Sequence, residues 1–227
     1  MGGQACIFYG AAEFSRDLDL LILADAENLP KLMHALEALS AEVISFPGLE
    51  ERHLSRGHAV HLRCRREDVA GLRIDLMSLL RGVAGFEELW ARRTTIEVAG
   101  ESIDLLAIAD LVRAKKTQRD KDWPMIRRLV EQSYFEHAEN VTEDLARFWL
   151  RELRTPELLI QVSRAYPDLA RAEAILRPAV QTALTANLSD VSEALEIEER
   201  EERRKDRDYW APLKQELEEL RRGRTRP

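Results

Sequence analysis

Only two cysteines, Cys6 and Cys64, occur in the 227 residues, and their spacing matches neither a zinc site nor a disulfide framework. They read as two half-buried thiols of a protein held in a reducing compartment. Cations are in deficit as well: Lys and Arg number 34 against 41 Asp and Glu, a formal charge of −7. That balance excludes a general nucleic-acid coat and leaves room only for a local basic patch. No charged, apolar, small-residue leader opens the sequence and no apolar run approaches bilayer length, so a cytoplasmic protein without a membrane segment is expected. The P-loop pattern and the GxGxxG fingerprint are missing, which removes the usual ATPase and dinucleotide folds. The serines lack a nucleophile-elbow context. His58 and His61 have no third ligand close by, so they read as an incidental pair rather than a zinc site. Trp90, Trp123, Trp149 and Trp210 are scattered, as packing residues are.

What is present changes character halfway along. Residues 3–12 read as a short helix after the pair Gly2-Gly3, followed by a turn and a strand from about Arg16 to Leu23. Asn28 opens a helix through Leu39, with Leu32, Leu36 and Leu39 on one stripe. Ala41–Phe46 is a short β-rich run. His58–Cys64 alternates Val60, Leu62 and Cys64 against His61 and Arg63, and Leu72–Met77 sets Leu72, Ile74 and Leu76 inward against Arg73, Asp75 and Met77. Thr94–Val98 and Ser102–Leu106 flank Gly100 as a hairpin or a pair of short strands. From Ala107 onward the periodicity is helical, with Pro156 and Pro167 near helix starts and Pro178 just past the segment ending at Leu176. The last thirty or so residues mix charges at helical spacing, as a solvated helix does, with a partner-binding or self-pairing helix as the alternative. The expectation is an α+β protein: a mixed β-sheet with flanking helices over residues 1–107, then a helical lobe over 108–227.

The chemistry sits in the first half. Asp17 and Asp19 are two apart on an apolar strand, so both project from one face while Leu18 and Leu20 face the core. Like charges so close are costly unless a hard divalent cation lies between them. Asp75 is the natural third carboxylate, because its strand also turns its leucines and isoleucine the other way. Nucleotidyl transfer needs such convergence, since its barrier falls through positioning and charge neutralisation. Gly2 and Gly3 at a helix start allow close approach of a phosphate, with Ser15 and Arg16 adding a hydroxyl and a cation. A frayed terminus is the plainer reading of that pair. Lys115, Lys116 and Arg119 form a dense cation cluster ahead of Asp122, suited to a triphosphate or equally to a solvated helix face.

Together these residues resemble the nucleotidyltransferase superfamily, the DNA polymerase beta-like fold. Its signature is an apolar residue and a Gly-Gly or Gly-Ser pair, a spacer of about nine to thirteen residues, then Asp-apolar-Asp/Glu-apolar. Here Met1-Gly2-Gly3 precedes Asp17-Leu18-Asp19-Leu20, and Asp75 in LRIDLM corresponds to the later carboxylate. Within the superfamily the chain is most similar to minimal bacterial enzymes of the abortive-infection toxin type. Their Asp-Leu-x-x-x-Lys and Arg-x-x-Asp segments correspond to Asp110-Leu111 with Lys115 or Lys116, and to Arg119 with Asp122. The family's glycine pair follows a β-strand, whereas here only Met1 stands ahead of Gly2 in the sequence.

The resemblance implies Mg2+ held by Asp17 and Asp19, Asp75 as third ligand or activator of an acceptor hydroxyl, and nucleotide binding by Gly2, Gly3, Ser15, Arg16, Lys115, Lys116 and Arg119. It implies transfer of an NMP from an NTP to an RNA or protein hydroxyl, in a toxin–antitoxin or phage-defence setting, with an antitoxin or a second copy as partner. A catalytically inactive nucleotide- or partner-binding protein of the same fold is the rival. A structural domain with coincidental acids is the third reading.

Overall fold

A computed structural model of the chain describes residues 1–185 and 187–224. The chain is α+β and divides into two units: Met1–Phe8, Ala12–Ala114 and the chain from Asp208 form the first, and Tyr9–Ala11 with Lys115–Arg207 form the second. In order, the first unit carries α1 (Gly2–Phe8), β1 (Asp17–Leu21), α2 (Asn28–Ala38), β2 (Ala41–Val43), α3 (Glu51–Ser55), β3 (Val60–Cys64), β4 (Arg73–Met77), α4 (Phe86–Ala91), β5 (Thr94–Val98), β6 (Glu101–Leu105) and α5 (Ile108–Ala114). The second carries α6 (Asp122–His137), α7 (Glu143–Glu152), α8 (Pro156–Ala165), α9 (Pro167–Ala174) and α10 (Pro178–Thr185). Helix α11 (Leu188–Arg224) contributes its earlier residues to the second unit and its later ones to the first.

In the first unit a four-stranded sheet runs β1-β4-β3-β2, with β1 parallel to β4 and the remaining pairs antiparallel. The alternating sequences explain its two faces. Ile22, Leu36, Leu54, Val60, Leu62, Cys64, Ile74 and Leu76 form one buried cluster, on which Leu18, Leu20, Leu29 and Leu32 pack. Each such side chain removed from water contributes about 1.5–3 kcal/mol. Both cysteines are fully buried thiols outside any disulfide, rather than half-buried. Strands β5 and β6 form a separate antiparallel hairpin. Its turn places Ala99 at φ 53° and Gly100 at φ 85°, the left-handed pair that matches the twist of a tight hairpin. The short helices α3 and α4 fall between the sequence's clear periodic segments.

The second unit is all-helical around Trp149, Ile126, Leu129, Leu150, Leu153 and Leu159, each at most 1% exposed. Thr142 caps α7 by accepting from the Leu145 amide at 3.2 Å, satisfying one of the donors a helix start leaves open. Pro156 and Pro167 open α8 and α9 as expected. Pro178 departs from expectation: it opens a further helix, α10, instead of closing the one before. Proline is stable at either place, because a first helical position needs no amide donor.

Among the described residues no helix is long and apolar enough to cross a membrane.

Candidate functional site

Parallel pairing of β1 with β4 sets Asp17 opposite Arg73 and Asp19 opposite Asp75. Antiparallel pairing of β3 with β4 sets His61 opposite Asp75 and Arg63 opposite Arg73. Paired residues share a face, so one surface of the sheet presents Asp17, Asp19, Asp75, Arg73 and His61 while the opposite surface is the apolar core.

Asp75 is half-buried, its side chain 14% exposed. Its Oδ1 accepts a 2.8 Å hydrogen bond from Nε of Arg73. Nδ1 of His61 lies 2.8 Å from the same oxygen and donates to it when that nitrogen carries the proton. Burial works against the Asp75 charge, but the hydrogen bonds from His61 and Arg73, and their charges, outweigh it and hold the carboxyl below its ordinary pKa. Reciprocally, the bond to Asp75 raises the Arg73 pKa against the effect of burial, with smaller contributions from the charges of Asp75, Asp17 and Asp19. Arg73 is thus an internal counter-ion to all three acids.

The glycine pair lies against this strand. Gly2 adopts φ +69°, and a Cβ there would come within 1.8 Å of Oδ2 of Asp19. The Gly3 amide donates to that same oxygen at 3.3 Å. A Cβ on Gly3 would meet Oγ of Ser15 at 2.4 Å, and Ser15 Oγ itself donates to the Asp17 carbonyl at 3.1 Å. Both glycines are therefore required by close approach to the strand that carries the acids. Arg16 is exposed, its guanidinium carbon 6.0 Å from the Phe14 ring centroid.

Gly2, Gly3, Ser15, Asp17, Asp19 and Asp75 are gathered in the first unit. Lys115, Lys116 and Arg119 belong to the second. There the buried Asp122 accepts from Nε of Arg119 at 2.7 Å and from Oγ1 of Thr117 at 2.6 Å, with Nζ of Lys115 at 3.7 Å. Lys116 reaches Glu152 at 2.7 Å. Asp110 is 2% exposed and receives a two-pronged contact from Arg92 at 2.6 and 2.9 Å. This fork ties β5's approach to α5. The acids of that segment are hubs for buried ion pairs, a role that its spacing alone does not distinguish from phosphate binding.

Sequence reading left His61 and Arg73 out of the site. Alternation already put Arg73 beside Asp75 on the outward face of β4, but His61 reaches Asp75 only through the pairing of β3 with β4, a long-range property.

Among the described residues no group of three or more His, Cys, Asp or Glu side chains is placed to hold a metal ion by itself. The donor chemistry nevertheless suits magnesium, which prefers oxygen ligands and is usually bound through one or two carboxylates plus substrate phosphates and waters. Asp17 and Asp19 supply such a pair. No family model, curated protein or solved structure matches this chain.

Proposed function

We propose that the protein is a magnesium-dependent nucleotidyltransferase with a nucleotidyltransferase-like core, moving an NMP from an NTP to an RNA or protein hydroxyl. The observation that carries the reading is the register of β1 on β4, which sets Asp19 beside Asp75 with Asp17 on the same face. Bound magnesium would neutralise phosphate charge and align the triphosphate for in-line displacement. Asp17 and Asp19 would hold the ion. Asp75 acts as a further ligand or an orienting group, since its lowered pKa makes it a weak proton acceptor near neutrality. The acceptor oxygen bonds to the α-phosphorus, the bond to the β-phosphate's bridging oxygen breaks, pyrophosphate leaves, and the acceptor's proton passes to solvent. Gly2 and Gly3 keep α1 close to Asp19, and Ser15 and Arg16 flank the strand's start. Lys115, Lys116 and Arg119 are engaged within the second unit by Asp122 and Glu152. By the same resemblance an antitoxin or a second copy is the proposed partner.

One observation favours the second reading, a nucleotide- or partner-binding protein without turnover. Arg73 already supplies positive charge where a catalytic ion would act. The two separate in one experiment: incubation with each NTP labelled at the α-phosphate, with and without Mg2+, alongside thermal shifts for the protein and an Asp17→Asn, Asp19→Asn double variant. Transferred label that needs Mg2+ and both aspartates supports the enzyme. A Mg2+-dependent shift without transfer to RNA or protein supports the binding module, and no shift with any NTP defeats both.

A further inference from the structure

Beside the carboxylate strand lies a pocket that the proposed chemistry leaves unused. Leu20 and Leu21 of β1, Leu89 of α4 and Leu105 at the end of β6 form its apolar wall, and it encloses about 440 Å³ of empty space including the part open to solvent. Its other wall is a stacked ladder. The Phe86 and Trp90 rings lie 5.7 Å apart and 15° from parallel, and the Arg93 guanidinium carbon sits 4.0 Å from the Trp90 ring centroid. Trp90 is 44% exposed, unlike Trp123 and Trp149, which are 4% and 1% exposed in the helical core. The part of Trp90 that Phe86 and Arg93 leave uncovered beside the cavity is a surface that another flat ring can reach.

Polar groups stand on two sides: Met1, whose ammonium donates to the Asp19 carbonyl at 2.9 Å, on the β1 side, and the margin formed by Arg93 and Asp104. There Nε of Arg93 donates to Oδ1 of Asp104 at 2.9 Å, giving one cationic donor and one anionic acceptor side by side. A purine edge offers ring-nitrogen acceptors and either an amino donor or a further acceptor, so this pair can be shared with it. The pair is already satisfied locally, since Oδ1 of Asp104 also accepts from Oγ1 of Thr95 at 2.6 Å and Nη1 of Arg93 donates to the Trp90 carbonyl at 2.9 Å, so a base would add to these bonds. Leu21 follows Asp19 by two residues, roughly 7 Å along the strand, which is the span of a ribose between phosphates at the acids and a base at the leucines.

We infer that this pocket binds a purine ring, with Phe86 and Trp90 as the stacking wall and Arg93 and Asp104 at its edge. The inference rests on the nucleotidyltransferase reading for the rest of the nucleotide and makes the donor a purine nucleoside triphosphate. It predicts that base preference resides in α4 and the β5–β6 hairpin, apart from the aspartates.

Titration calorimetry of the full chain in Mg2+ with ATP, GTP, CTP, UTP and inorganic triphosphate tests it, together with saturation-transfer NMR on adenosine and guanosine. Purine triphosphates should bind at least severalfold more tightly than pyrimidine ones. Trp90→Ala should weaken purine binding by about five- to hundredfold and leave inorganic triphosphate unchanged, while Trp90→Phe, which keeps a stacking ring, should restore most of it. Equal affinity for all four NTPs, or purine binding unchanged by Trp90→Ala, would overturn the inference. Inorganic triphosphate that fails to bind would remove the nucleotidyltransferase reading alone. The nucleosides then decide the pocket: saturation transfer to wild type that is lost in Trp90→Ala sustains it, and none sinks it.

Discussion

Gly2 and Asp19 approach so closely that a single added carbon cannot fit: a Cβ on Gly2 would stand 1.8 Å from the Asp19 carboxylate oxygen. Gly2→Ala must either push the carboxylate aside or move α1 from β1. It must also place alanine at a positive φ, which costs about 1–2 kcal/mol by itself. The expected result is a loss of stability of at least that size in urea denaturation, with loss of any Mg2+-dependent NTP shift. Wild-type behaviour would mean that the contact between α1 and Asp19 does not persist in solution.

Arg73 predicts an opposite pair of effects from one substitution. Arg73→Met removes the hydrogen bond to Asp75 and leaves three acids on one face without their counter-ion. In metal-free buffer the variant should lose about 1 kcal/mol, a modest figure because this side chain is partly exposed. Divalent cations should then bind more tightly, since His61 beside Asp75 is left as a weaker offset to the three acids. Melting temperatures measured across a Mg2+ titration should therefore rise further in the variant than in wild type. An equal or smaller rise would mean that the acids do not share an ion.

The cations around Asp122 separate a structural role from a ligand role by burial. Asp122 is 3% exposed, whereas the Arg119 side chain is 58% exposed. Asp122→Ala leaves Lys115, itself 9% exposed, without its acid, and should destabilise the chain by about 3 kcal/mol. Arg119→Ala should cost less than about 1 kcal/mol. If Arg119 also contacts phosphate, its variant shows weakened NTP binding at near-normal stability, which calorimetry and chemical denaturation distinguish.

The sheet's two faces were legible because period-two alternation is local: Asp17 and Asp19 outward against Leu18 and Leu20 needs only five residues. The same holds for Asp75 and Ile74. Which strands become neighbours is not local, so the bonding of His61 to Asp75 emerged only with the order β1-β4-β3-β2, whereas Arg73 lies two residues from Asp75 on the same strand. Helices α3 and α4 are 5 and 6 residues long, too short for a 3.6-residue period to rise above its surroundings. The glycine pair was legible as a place of close approach, but a phosphate and a neighbouring carboxylate make the same demand on a missing Cβ. Charge clusters were least legible. Lys115, Lys116 and Arg119 look like a ligand's cradle in sequence because their acids, Asp122 and Glu152, are identified as partners only by packing.

Acid should loosen the second unit through Glu173. This α9 carboxylate is 2% exposed and is held from α7 by Arg151 at 2.7 Å through two bonds and by Arg147 at 3.0 Å. The Arg151 hydrogen bond lowers its pKa most; burial opposes it and Arg147 adds to it, leaving the carboxyl below its ordinary range. A depressed folded pKa means that the unfolded chain takes up the proton first on acidification. The contribution is therefore complete above about 4.5 and is lost as pH falls through the lower folded value. Glu173→Gln keeps the shape and removes the charge. At pH 7 it should be less stable than wild type by about 1–3 kcal/mol, and the two denaturation midpoints should converge as pH drops from about 5 toward 3. A difference that stays constant across that range would assign the loss to packing rather than to the charge.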